Sequence, residues 1–263
     1  MKTIVITGST RGIGRGLATE FLKLGCNVVI SGRNATGVER ALTELRHNFP
    51  AERTAGHPCD VTEIAQVQSL WDAAVAAFGQ VDIWINNAGL GQPTLPLWKQ
   101  EPQRMKAIVN TNVLGALNGS HVALNGMLAQ GFGALYNMEG YGSNGRTMAG
   151  FTIYGGTKAA VRYINQSLKK ETDGTPIIVG ALSPGMVLTD LLLVNRDTDP
   201  QLFEEQKRIF NILADRVETV TPFLAKKVLQ NTKNGARFDW LSPGKIAFRF
   251  LTARFRSRDI FSA

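Results

Sequence analysis

The chain has 263 residues, 44% of them hydrophobic and 19% charged, with a net charge of +8. This balance describes a globular chain long enough to bury a sizeable core and excludes an intrinsically disordered polymer. Cys26 and Cys59 make no disulfide framework, and the longest uncharged run, residues 107–138, holds five asparagines and is too polar to span a bilayer. The chain opens directly into a strand-like run without a signal peptide, so the expected setting is the reducing cytoplasm. His47, His57 and His121 have no metal-ligand spacing, and no metal is expected.

Residues 2–7 form a β-branched run that leads at once into Thr7-Gly8-Ser9-Thr10-Arg11-Gly12-Ile13-Gly14 and a helical stretch over 17–24. Strand, glycine turn and helix in this order are the setting in which such a segment binds a dinucleotide. Gly8 permits the tight turn, Gly12 lets backbone approach a pyrophosphate, and Gly14 allows close helix–strand packing. The helix N-terminus offers its amides to the phosphates. A second buried run, 26–31, ends in Gly32-Arg33. An NAD site usually places a carboxylate there for the ribose 2′-hydroxyl, whereas Arg33, with Arg11 in the glycine turn, suits the 2′-phosphate of NADP.

The pattern then repeats as a helix over 38–47, a short strand ending at Cys59-Asp60-Val61, a helix over 64–78 and a strand over 81–85. Asn86-Asn87-Ala88-Gly89 follows, a polar loop suited to backbone lying against a cofactor. A long helix over 103–129 carries Asn112 in an apolar setting, where an asparagine competes with the backbone and needs a reason. Strand-like runs at 133–138 and 177–182 flank a further helix, and the second ends in Ser183-Pro184-Gly185-Met186-Val187-Leu188-Thr189. Alternating strands and helices predict a single α/β domain over 1–263, a doubly wound parallel sheet of about seven strands with helices on both faces.

Within the helix after 150 lies Tyr154-Gly155-Gly156-Thr157-Lys158. Positions four apart share a helix face, so a phenol and an ammonium meet one turn apart. A cation beside a phenol is expected to lower its pKa from about 10 toward neutrality, as a general acid or base requires.

Together these segments, in order and spacing, resemble the short-chain dehydrogenase/reductase family over essentially the whole chain. The resemblance implies a Rossmann sheet and NADPH as cofactor. It implies that Tyr154 protonates a substrate carbonyl, that Lys158 holds the nicotinamide ribose, and that Asn112 anchors a water relaying protons to Lys158. Asp60 and Val61 would contact the adenine, and Asn87, Ala88 and Gly89 the adenosine ribose and backbone path. Pro184, Gly185 and Val187 belong to the cofactor loop, with Thr189 on the nicotinamide carboxamide. The family usually ends strand five with Ser-Ser, the second serine some 13 residues before the tyrosine. Here the strand ends Asn137-Met138-Glu139-Gly140, and Ser143, eleven residues before Tyr154, or a backbone amide near Gly140 or Gly142, takes the role of polarising the carbonyl.

That loop, together with the segments 183–193 and Phe238-Asp239-Trp240-Leu241-Ser242-Pro243, looks like the chlorophyll b reductases. The implied reaction is reduction of the C7 formyl group of chlorophyll b to hydroxymethyl with NADPH. Alternatives are reduction of another apolar carbonyl substrate and a non-catalytic NADP-binding scaffold. The family also implies a homo-oligomer.

Two segments remain. Over 190–216, Leu202, Phe203, Ile209, Phe210 and Leu213 lie at helical spacing, either as a substrate-side lid or as a stripe closing the core. Over 243–258, Phe248, Leu251 and Phe255 alternate with Lys245, Arg249, Arg254, Arg256 and Arg258, and the last 31 residues hold +5 of the +8 charge. Nucleic acid is not expected, since no recognition module accompanies the charge. One reading is peripheral contact of the basic helix with an anionic membrane; the other is an aromatic stripe packed on the domain with solvated arginines.

Overall fold

Seven short runs become the strands of one parallel sheet in the computed structural model, which describes residues 1–255 and 258–262. They are β1 (Thr3–Ile6), β2 (Asn27–Gly32), β3 (Thr54–Pro58), β4 (Ile83–Asn86), β5 (Gly133–Met138), β6 (Ile177–Ser183) and β7 (Arg237–Asp239). The order across the sheet is β3-β2-β1-β4-β5-β6-β7, each neighbour parallel to the next. The order reverses between β1 and β4, where the connections from the two strands part toward opposite sides and leave a crevice at the sheet's C-terminal edge.

Alternation along the strands builds a core on each face. Ile4, Ile6, Val28 and Ile30 pack with α1 (Gly12–Lys23), α2 (Ala35–Arg46) and, later in the chain, residues 220–228. Val5, Val29, Trp84 and Leu135 turn the other way, onto α3 (Ile64–Phe78) and residues 122–127. The predicted continuous helix over 103–129 is instead α4 (Pro102–Val109), a π-helical turn (Asn110–Leu114) and α5 (Gly115–Gln130). The wider turn is how the backbone accommodates Asn112 mid-helix.

The remaining helices are α6 (Thr152–Glu171), the four-residue α7 (Asn195–Thr198), α8 (Pro200–Leu213), α9 (Val217–Gln230) and α10 (Pro243–Thr252). The α8 stripe is packed. Phe203 and Phe210 are buried with Ala214 and Ile260, while Ile209, Leu188, Leu192, Leu193 and Phe261 pack around them. Leu213 is buried as well, and Leu202 is half-buried. The stripe closes a small satellite core.

In α10 the structure overturns the reading of an aromatic stripe packed on the domain with solvated arginines. Arg249 turns inward, donating to both carboxylate oxygens of buried Asp215 (3.0 and 2.7 Å), and Arg258 donates to the same carboxylate at 2.8 Å. Phe248, Leu251 and Phe255 point outward, 56%, 76% and 85% exposed. An ion-paired inner face outbids the aromatic stripe for the domain because Asp215 is buried and needs its partners. Arg254 is exposed; Arg256 lies outside the described residues.

Candidate active site

The crevice is assembled from the loops after β1, β4, β5 and β6. After β1, Gly8 and Gly12 adopt φ of 61° and 59°, conformations glycine holds without strain. A Cβ on Gly8 would lie 2.8 Å from the Ala88 Cα, so only glycine lets the β1 and β4 loops meet. Asn87 fastens them: its side-chain amide donates to the Thr7 and Gly8 carbonyls at 2.9 and 3.0 Å. Thr7 Oγ1 accepts from the Asn87 and Ala88 amides. The Asn87 side-chain NH2 thus joins the loops. Thr189 closes over the turn from the β6 side, its Cγ2 3.4 Å from where a Gly12 Cβ would stand. Gly185 adopts φ 72° against Leu241, and buried Val187 bridges to Asp215.

These residues fit a dinucleotide. The N-terminus of α1 has no side-chain cap at Arg11, leaving its first amides for an anion. Thr10 packs against Gly32, its Cγ2 2.8 Å from where a Cβ at 32 would begin, so the place of an NAD-type carboxylate is filled. Arg33 lies exposed beside it. Arg11 is differently placed than expected: it donates to Asp190 at 2.7 Å, a well-exposed ion pair reaching from the glycine turn to the β6 loop. Asp60 accepts from the Thr62 amide and hydroxyl, and Val61 is buried against Gly115.

The chemistry lies deeper, where α6 meets the end of β5. Tyr154 and Lys158 are 9% and 5% exposed and share a helix face. The Lys158 Nζ donates to the Met138 carbonyl at 2.9 Å and stands 5.7 Å from the Tyr154 ring centroid. The expected drop in the phenol pKa is not found: burial pushes Tyr154 up to about 12, because desolvation opposes the phenolate. Burial also lowers Lys158 to about 8, partly offset by the negative charge of Glu139. The phenol is therefore held protonated at neutral pH.

Asn112 is buried, and its side chain clamps Leu90, accepting from its amide at 2.7 Å and donating to its carbonyl at 3.0 Å, and donates to Thr157 Oγ1 at 3.1 Å. These bonds tie the π-helical turn to the β4 loop and to α6. Where the family carries serine, Gly140 stands so close that a Cβ would be 2.6 Å from the Tyr154 hydroxyl. Ser143, buried, donates its amide to the Gly140 carbonyl at 3.1 Å, and Gly142 lets this loop lie on Gly155 of α6.

Two residues here carried no sequence signal of function. Buried Gln92 accepts from the Tyr154 amide and donates to the Gly150 carbonyl, both at 2.5 Å, pinning the β4 and β5 loops to the start of α6. Its one clue was a polar side chain within an apolar segment. Glu139 was read only as the departure from serine; it is 2% exposed and accepts from Arg237 Nε of β7 at 2.7 Å.

A family model described as short chain dehydrogenase matches residues 2–200. The chloroplastic chlorophyll(ide) b reductase NOL of Arabidopsis thaliana is 39% identical over 264 residues, which cover 98% of this chain and 72% of the relative. Its counterpart in Oryza sativa subsp. japonica is 38% identical over 264 residues, covering 98% and 74%. The chain spans about half the length (53%) of longer relatives from the same two plants. Among solved structures, a gluconate 5-dehydrogenase from Burkholderia cenocepacia in complex with NADP and tartrate superimposes with a TM-score of 0.75 at 28% identity, over 90% of this chain and 93% of its own.

Proposed function

This chain belongs to the short chain dehydrogenase family, and on that premise we propose that it is an NADPH-dependent reductase whose substrate is the C7 formyl group of chlorophyll b. The observation that carries the catalytic reading is the buried, protonated Tyr154 phenol with Lys158 one turn behind it, at the sheet edge where the cofactor loops converge. The substrate assignment rests on the two plant reductases, each covering nearly all of this chain.

Bound in the crevice, NADPH supplies a hydride for the carbonyl carbon. Tyr154 gives its proton to the carbonyl oxygen as charge builds there, so the formyl group becomes a hydroxymethyl. Lys158, held by the Met138 carbonyl, places its positive charge beside the phenol and steadies the anion that proton loss leaves. Ser143 offers a hydroxyl to the same oxygen. Gln92 and Asn112 hold the β4 loop against α6 and so fix the geometry. The test is NADPH oxidation by the purified chain against chlorophyll b, chlorophyllide b, steroids, sugars and acyl thioesters. Turnover confined to the two pigments supports the assignment; a preference for another carbonyl substrate replaces it.

Cofactor choice is read separately. Arg33→Ala should weaken NADPH binding roughly 10- to 100-fold, through loss of a charge-assisted bond to the 2′-phosphate, with little change for NADH. Fluorescence titration of both cofactors measures this, and equal losses would remove Arg33 from phosphate recognition.

We further propose that the apolar substrate is met at an anionic membrane surface. The supporting features are the outward Phe248, Leu251 and Phe255 of α10, with exposed Trp98 after β4 at the same sheet edge and exposed Arg254 beside them. The chain should float with anionic vesicles at low salt. Replacing Phe248, Leu251 and Phe255 with Ser should abolish flotation. Protein left at the bottom of the gradient would place the encounter in solution.

A further inference from the structure

Inward-facing residues of β5 alternate with the core, so Leu135, Asn137 and Glu139 share the face covered by α5 and α6. Asn137 donates to Asn165 of α6 at 2.8 Å. Two residues further along the chain, about 6.6 Å, Glu139 comes level with the part of α6 just over one turn earlier, near Val161, and Lys158 lies one turn beyond it with its side chain reaching back to the end of β5. The Lys158 side chain follows this backbone closely. Its Nζ reaches the Met138 carbonyl, and its Cγ and Cε lie 3.3 and 3.4 Å from where a Gly140 Cβ would be.

A carboxylate 2% exposed requires partners. One is Arg237, reaching across β6 from β7, which also pairs with Asp239. The charged groups around Lys158 are thus Glu139 from β5, with Arg237 and Asp239 behind it from β7. The neighbours from the other elements are neutral: Tyr154 on its own helix, Gly89 of the β4 loop and Asn112 of the π-helical turn. Glu139, next in the chain to the carbonyl that holds Lys158, is the negative charge that bears on the buried ammonium, and Arg237 is the cation paired with it.

We propose that Glu139 is a positioning residue for the reductase chemistry, holding the buried Lys158 charged and in place from the floor of the site. The proposal rests on the reductase reading above. It also gives a reason for the departure at the end of β5: where relatives of the family use a hydroxyl, this chain places a charge below and a glycine against the phenol. Lys158 then works as an ammonium although burial lowers it to about 8.

The sign of the effect follows. A charged Lys158 is needed, so binding and turnover decline as pH rises through its pKa. Removing the Glu139 charge lowers that pKa, whereas removing the Arg237 charge raises it. NADPH affinity, read by fluorescence from pH 6 to 10, is the first measurement, with turnover second. Glu139→Gln should move the alkaline limb of both down by about one pH unit, a loss of about fivefold at pH 8 with little change at pH 6. Glu139→Asp should restore most of the wild-type limb. Arg237→Gln, at an exposed position outside the site, should move the limb upward, and it keeps the proposal open to refutation should Glu139→Gln fold poorly. A lower Tm with unmoved limbs in Glu139→Gln, or an unmoved limb in Arg237→Gln, would make the pair merely structural and overturn the proposal. Wild-type protein that binds no NADPH at any pH would instead overturn the reductase reading, and this proposal with it.

Discussion

Tyr154→Phe should reduce turnover of the carbonyl substrate by about 10² to 10⁴, the range general acid catalysis commands, and leave NADPH affinity nearly unchanged. The ring should stay where it is, since it packs edge-on to Phe151 at 6.2 Å and loses only an oxygen. The electrostatics make the direction specific. With the phenol held up to about 12, Tyr154 enters the reaction as an acid, which suits reduction; alcohol oxidation would need the phenolate that burial disfavours. Raising the pH therefore first discharges Lys158, near 8, and only much later the phenol. Reduction by the wild type should decline above about pH 8 and not follow the tyrosine ionisation. Initial rates of NADPH oxidation across pH, with cofactor titration beside them, separate the two effects. Wild-type turnover in Tyr154→Phe would take the phenol out of the mechanism.

The parts legible in the sequence were those with local causes. Alternating β-branched runs gave the strands, because each strand must bury both faces in a doubly wound sheet, as Ile4, Val5 and Ile6 do. The glycines of the first turn were legible because their backbone angles and close approaches admit nothing larger. What escaped were long-range polar partnerships. Nothing local to residue 92 says that its amide caps a helix that begins sixty residues later, and nothing near Asp215 says that it will draw Arg249 inward and turn the aromatic side of α10 to solvent. The phenol pKa was misjudged for the same reason. Spacing places the cation beside the tyrosine, but burial depth, which only the assembled sheet and loops create, sets the larger effect.

Ser143→Ala tests the least regular part of the site and should lower kcat by about 10² to 10³ while Tm and NADPH affinity hold. The argument starts from exclusion. A side chain at Gly140 would displace the phenol, because its Cβ would stand 2.6 Å from the Tyr154 hydroxyl. The chain instead turns tightly, with the Ser143 amide on the Gly140 carbonyl, and glycine at 142 takes φ 94° so that the turn can rest on Gly155, the residue after the phenol. That packing keeps Ser143 buried, one residue from the contact with α6. A hydroxyl there stabilises negative charge on the carbonyl oxygen as hydride arrives, an effect exerted mainly on kcat. Ser143→Thr, which keeps the hydroxyl, should recover much of the rate. A loss below about threefold in Ser143→Ala would pass the role to a backbone amide of the turn, and in that case Ser143→Thr, by crowding the turn, should be the slower of the two variants.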